Sequence, residues 1–353
     1  MTGQRRGVCV LGASAMMLRV FVMTVLDEPF LLNAGWISVL LGMAAGMLAL
    51  FPCIMEGKSG RGGFEALGGS AAGRISALLI APVMLYDAAA VVRLLAGLAA
   101  YSAMTGFPLY VLYLSAMGAA LLFCLMGPGA LTGTAIIWSK LGIALGIILL
   151  VTQVGDMEVS NLTPLFGPGA ALLAEGAWRA AGVTASMTLA AYVMMGPRAQ
   201  GKAGLPAALF AALIIGTLGA AAFSMLVSAM PGGPLTRLFR METLMDNGLS
   251  GLTMEMFYVL LLEGGLLLTA CFETMGAVVC LMCALSRAAV PADKPDARGK
   301  IISFIVCMAA TALIALNLAG RTTMLAVSVW YYPIAVAAAV LACVAVRRRG
   351  EKT

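Results

Sequence analysis

Six ionisable side chains stand inside long apolar runs: Arg19, Asp87, Arg93, Lys140, Glu263 and Glu273. Placing such a group at mid-bilayer costs of order 3 kcal/mol, so it is expected to face a cavity or a partner rather than lipid. Two chemistries are open to the set. The charges can pair with one another and fix helix register, or they can line a polar ligand site or ion path. Arg19 lies just past the midpoint of its run, too deep for its stem to reach the interface comfortably. Its planar guanidinium suits a carboxylate, either a ligand's or a protein acid's such as Glu273. Tyr86 and Asp87 are adjacent, so one of them can face inward. Lys140 is placed about 10 Å deep from the cytoplasmic end of its run, counting 1.5 Å per residue. An amine buried there can titrate or stand in for a bound cation, which makes Lys140 and Glu273 candidates for ion or proton coupling.

Other chemistry is poorly supplied. The chain has no histidine, which removes imidazole acid/base work, histidine-activated nucleophiles and the commonest metal ligand. Eight cysteines lie in or beside apolar runs; Cys280 and Cys283 form a CxxC, but in a lipid-embedded helix such thiols behave as small apolar side chains. Gly57-Lys58-Ser59 resembles the end of a phosphate loop, yet Pro52 stands where its first glycine belongs and no strand precedes it. No enzyme activity, metal or cofactor is expected. The net charge of +6 is spread over loops, so it points to membrane orientation rather than to nucleic acid.

The elements that must hold these residues are membrane helices. Hydrophobic residues make up 62% of 353 positions and charged ones 11%, with a mean hydropathy of +1.01. A soluble domain would need about a quarter of its residues charged. A spanning helix needs about 20 apolar residues, and the apolar runs predict ten: 8–26, 34–53, 75–99, 107–126, 131–152, 178–195, 204–229, 254–285, 301–320 and 324–346. Arg5 and Arg6 followed by a short apolar run imitate a signal peptide. The run before Ala13-Ser14-Ala15 is too short for one, so it is read as part of a retained helix.

Sorting the basic loop residues with the N-terminus inside puts fifteen on the cytoplasmic side, from Arg5 and Arg6 through Lys58, Arg198 and Arg287 to Lys352. Four fall outside: Arg179, Arg237, Arg240 and Arg321. That asymmetry predicts cytoplasmic termini, and an odd number of spans would scramble it. A long outer segment, 153–177, separates a first five-helix half (1–152) from a second (178–353) with its basic tail. Gly42/Gly46, Gly129/Gly133 and Gly142/Gly146 are spaced for close helix approach.

Several stretches carry a family resemblance. Gly35-Trp36-Ile37-Ser38-Val39-Leu40-Leu41, the outer loop Asn161-Leu162-Thr163-Pro164-Leu165-Phe166-Gly167-Pro168-Gly169, and Tyr331-Tyr332-Pro333 resemble the B subunits of bacterial spore germinant receptors. So does the Pro-rich outer segment ending in Arg237, Arg240 and Glu242. In the first span, Ser14-Ala15-Met16-Met17-Leu18-Arg19 replaces that family's Gly-rich break. The resemblance implies an all-α polytopic fold of two inverted five-helix repeats (LeuT-like), related to amino-acid permeases. It implies a ligand site near the midplane where the first and sixth helices are interrupted, with Ser14, Ala15, Arg19, Tyr86, Asp87, Gly182 and Glu273 around it. It further implies a small nutrient ligand, companion A and C subunits, and residence in the inner, cytoplasmic membrane of the spore. A proton- or sodium-coupled amino-acid transporter is the alternative, motivated by Lys140, and a membrane scaffold with a vestigial cavity stands behind it.

Overall fold

The computed structural model describes residues 9–10, 12–15, 35–56, 70–102, 108–153, 160, 169–194, 211–219, 221–222, 225, 252–285, 305–314 and 326–350. Among them all regular structure is helical, and helix is described within each of the ten expected spans. Numbered by span, α1 comprises 9–10 and 12–15, α2 Gly35–Glu56, α3 Ala71–Ser102, α4 Leu109–Met126 and α5 Pro128–Gln153. In the second half, α6 is Ala170–Met194, α7 211–219, α8 Leu252–Leu285, α9 305–314 and α10 Tyr331–Gly350.

A helix satisfies its own backbone, which lipid cannot do for it. The hydroxyl side chains inside the bundle obey the same rule. Thr184, Thr188, Thr217, Thr269, Thr274 and Thr311 each donate to the carbonyl four residues back, at 2.5 to 2.9 Å. Pro82 interrupts that ladder in α3, because it has no N–H to offer Leu78 and its ring crowds that carbonyl. Between α4 and α5 the chain reverses through one residue. Gly127 adopts φ +87° and its N–H donates to Phe123 O at 2.9 Å, while Pro128 opens α5 where a missing N–H removes no helical bond.

Two of the boundary shifts bear on the candidate site. The sixth helix starts at Ala170 rather than 178, so it takes the last eight residues assigned to the outer segment. Glu175 and Arg179 look like loop residues in sequence, but they lie one helical turn apart and pair with each other. α5 starts at Pro128 rather than 131, and that changes the depth of Lys140.

The bundle is organised by two intimate helix pairs, α3 with α8 and α2 with α6. α8 is buried almost all round from Gly265 to Cys280, as befits a central helix that is apolar on every face. Gly42 and Gly46 let α2 meet α6 backbone to backbone. A Cβ at Gly42 would overlap Ala177 O, and one at Gly46 would lie 2.7 Å from Ala181 O. The expectation that Gly129/Gly133 does the same is overturned: a Cβ at either would meet nothing within 4 Å. Gly142 faces only the ring of Trp138 on its own helix.

Hydroxyl and indole donors fasten further contacts. Ser38 Oγ donates to Leu173 O at 3.2 Å and Ser76 Oγ to Ala338 O at 2.7 Å. Trp178 Nε1 donates to Val329 O at 2.9 Å, and its ring meets Tyr332 edge-on with centroids 4.8 Å apart. Trp178→Ala removes both contacts and should destabilise the chain by about 1–2 kcal/mol, and Trp178→Phe by less than half of that. Thermal unfolding in detergent measures the ranking, and equal losses would assign the stabilisation to the indole N–H alone.

Candidate functional site

The α3–α8 pair fixes where the buried acids sit. Val91, Val92 and Leu95 share a core with Leu266 and Ala270, whereas Ile80 and Met84 share theirs with Met275 and Val278. The two helices are therefore antiparallel, and Asp87 and Glu273 fall at one level between those layers. Both are withdrawn from the surface: Asp87 is 2% exposed and Glu273 0%. Asp87 is the seventeenth of the 32 residues of α3, so the level is near mid-depth. Tyr86 beside it is half-buried. Hydroxyls that the sequence did not single out add to the polar interior, with Thr184, Ser186, Thr188, Thr269 and Thr274 all buried. Scattered Ser and Thr in apolar runs carry no sequence signal, because most of them serve only their own helix.

The other expected residues are placed as follows. Ala15 is buried at 1% exposure and Ser14 is half-buried. Their short stretch of α1 lies against α6 and α7: a Cβ at Gly12 would sit 3.6 Å from Ala191 Cβ, and one at Gly216 would sit 2.7 Å from Ala13 O. Arg19 lies outside the described residues. Gly182 faces α10, where a Cβ would come within 2.7 Å of Tyr331 Cβ, so its bare side is filled by helix packing. α6 is a continuous helix from Ala170 to Met194, which corrects the expectation that the sixth helix is interrupted. Gly182 is closed over by Tyr331, and no proline falls inside the helix.

Lys140 is placed differently from its expected position. It stands twelve residues after Pro128 and thirteen before Gln153, about 18 and 20 Å from the two ends. It is mid-helix rather than about 10 Å deep, and it is exposed. The α5–α8 contact runs through Trp138, whose Nε1 would lie 3.2 Å from a Cβ at Gly264. Two residues along a helix of 3.6 residues per turn, Lys140 points about 160° away from Trp138, and so away from α8. Glu273 lies nine residues further along α8 than Gly264, about 14 Å toward its inner end. The structure does not bring Lys140 and Glu273 together.

Cys271, Cys280, Cys283 and Cys307 are fully buried free thiols within the apolar core. Among the described residues no group of three His, Cys, Asp or Glu is arranged to hold a metal.

Chemically, carboxylates withdrawn into an apolar interior suit a cationic partner, such as the ammonium of a small ligand. Tyr86, half-buried beside Asp87, offers a further hydrogen bond to a small polar ligand.

No protein-family model matches this sequence, and no curated relative does. The fold is similar to that of Mhp1, a nucleobase-cation-symport-1 family transporter solved in a closed conformation with bromovinylhydantoin bound. The likeness has a TM-score of 0.61 at 14% identity and covers 90% of this chain and 74% of that one. The chain is an all-α polytopic membrane protein with the LeuT-like fold of such transporters.

Proposed function

We propose that this chain is the membrane-embedded, ligand-binding subunit of a spore germinant receptor, taking a small nutrient such as an amino acid at the level of Asp87 and Glu273. The observation that carries the ligand-binding part is that the two most intimately packed helices of a transporter fold each hold a buried carboxylate near mid-depth. Ligand sites of such folds lie near the midplane. The Asn161–Gly169 loop resemblance carries the germinant part. An amino acid would present its ammonium to Asp87 or Glu273, and Arg19 is suited to its carboxylate. The continuous α6 favours recognition by side chains over recognition by unwound backbone. A receptor needs to bind and change shape; it does not need to open to both sides. The companion A and C subunits would receive that change.

The second reading is secondary transport of a small solute, favoured by the likeness to a cation symporter. Glu273 is then a candidate for the proton-coupling group. Purified protein in vesicles separates the two readings. Nutrient-dependent stabilisation without uptake under an imposed pH or sodium gradient supports the receptor; gradient-driven accumulation of the same nutrient supports the transporter. Neighbouring genes for a larger two-domain membrane protein and a lipoprotein would favour the receptor.

The charge asymmetry of the loops makes a separate expectation. Labels at both termini, Gly60 and Lys294 should be cytoplasmic, and those at Gly167 and Asn247 external. Labelling of Gly167 from the cytoplasmic side would overturn the ten-span topology.

A further inference from the structure

We propose that the outward face of α5 docks against a membrane-spanning helix of a partner protein that carries an Asp or Glu at mid-depth, opposite Lys140. This holds whether the chain acts as receptor or transporter. Gly133, Ile137, Ile143, Ile147 and Val151 lie within about 60° of Lys140 around the helix, and every one of them is exposed. Ile137 and Ile143 are each 65% exposed, Ile147 59% and Val151 67%. An apolar face of that length is a bilayer face, and in its middle stands an ammonium. Lys140 makes no hydrogen bond or ion pair with any described residue. It lies about 18 Å from the nearer helix end, beyond what its four-carbon stem can span to a lipid headgroup.

Such a charge is expected to have a partner, and the described residues do not supply one on that face. The acids Asp87 and Glu273 are buried, and Glu263 is half-buried and already engaged within the chain. A second copy would therefore bring no exposed mid-depth carboxylate from these helices. Charge complementarity selects a different chain with an acid. A neighbouring helix could also approach closely at Gly129 and Gly133, where a Cβ meets nothing within 4 Å.

The test uses the purified full chain, donor-labelled, in phosphatidylcholine vesicles at pH 8. The probes are acceptor-labelled polyleucine transmembrane peptides with Glu, Gln, Lys or Leu at the centre. The Glu peptide should associate about tenfold more tightly than the Leu peptide. Lys140→Met should erase that preference, and Lys140→Glu should transfer it to the Lys peptide. Because Lys140 is exposed and makes no hydrogen bond or ion pair with a described residue, these variants should fold and keep wild-type thermal stability. Equal binding of Glu and Leu peptides, or a preference that survives Lys140→Met, would overturn the proposal. So would energy transfer between copies of the chain that Lys140→Met abolishes, which would name a second copy as the occupant. A preference for the Glu peptide that vanishes when phosphatidylserine is added would assign Lys140 to lipid instead.

Discussion

Gly42→Leu is expected to leave no folded protein to purify, while Gly133→Leu folds as well as the parent. The two glycines look alike in sequence, each paired with another four residues on. At Gly42 even a Cβ would overlap Ala177 O and lie 2.6 Å from Ala180 Cβ. Two of those three obstacles are backbone, since Ala181 N is also 2.9 Å away, so no rotamer change relieves the clash. Overpacking of a core by small increments costs about 1–3 kcal/mol; parting α2 from α6 along one of the two main interfaces costs more. Gly42→Ala should therefore already lose about 3 kcal/mol. At Gly133 nothing lies within 4 Å, and Leu in lipid is neutral or better. Thermal unfolding of Gly42→Ala and Gly133→Leu in one detergent gives the comparison. A Gly42→Ala protein as stable as the parent would mean that α2 and α6 are not packed as described.

Glu273 is expected to carry the largest functional effect. It is 0% exposed, on the helix that makes the most extensive interface in the bundle. Glu273→Gln keeps the size and one acceptor oxygen but removes the charge and turns the other acceptor into a donor, so the fold should survive. Nutrient-induced stabilisation should fall at least tenfold if an ammonium is recognised there, since removing one partner of a buried pair costs about 3–5 kcal/mol. Glu273→Ala should also destabilise the empty protein by about 3 kcal/mol, through the cavity and the group it engages. Combining Glu273→Gln with Asp87→Asn decides whether the acids act as one site. Shared recognition of a cation makes the losses non-additive, whereas independent structural roles add within about 0.5 kcal/mol.

Hydropathy and loop charge were enough to place helices in all ten spans, because the lipid leaves a chain of this composition no other regular structure. They misjudged α6, where Glu175 and Arg179 cancel each other on the helix surface and so imitate a loop. The burial of Asp87 and Glu273 was legible in outline: a carboxylate deep in an apolar run must face inward. Their common level was not, since it depends on the register between α3 and α8, and neither helix carries a stripe from which register can be read. Lys140 shows the same limit from the other side. Counting put it too shallow, because α5 begins at Pro128, and α5 is apolar all round, so its facing is seen only in the Trp138–Gly264 contact and the exposure of Lys140. The resemblance anticipated an interrupted sixth helix, and the continuous hydrogen-bonded run through Thr184 and Thr188 replaces it.

If the buried acids of α3 and α8 form a site for a small nutrient, binding depends on both carboxylates. Thermal unfolding of the purified parent, Asp87→Asn and Glu273→Gln across a panel of amino acids, sugars and nucleobases tests it most directly. A ligand bound by the native form alone raises apparent stability by mass action, by about 2.7 kcal/mol at a hundred times its Kd. At least one nutrient bearing an ammonium is expected to stabilise the parent, and both variants should lose the effect. A panel that leaves the parent unmoved, or a nutrient that stabilises Glu273→Gln as strongly as the parent, would contradict it.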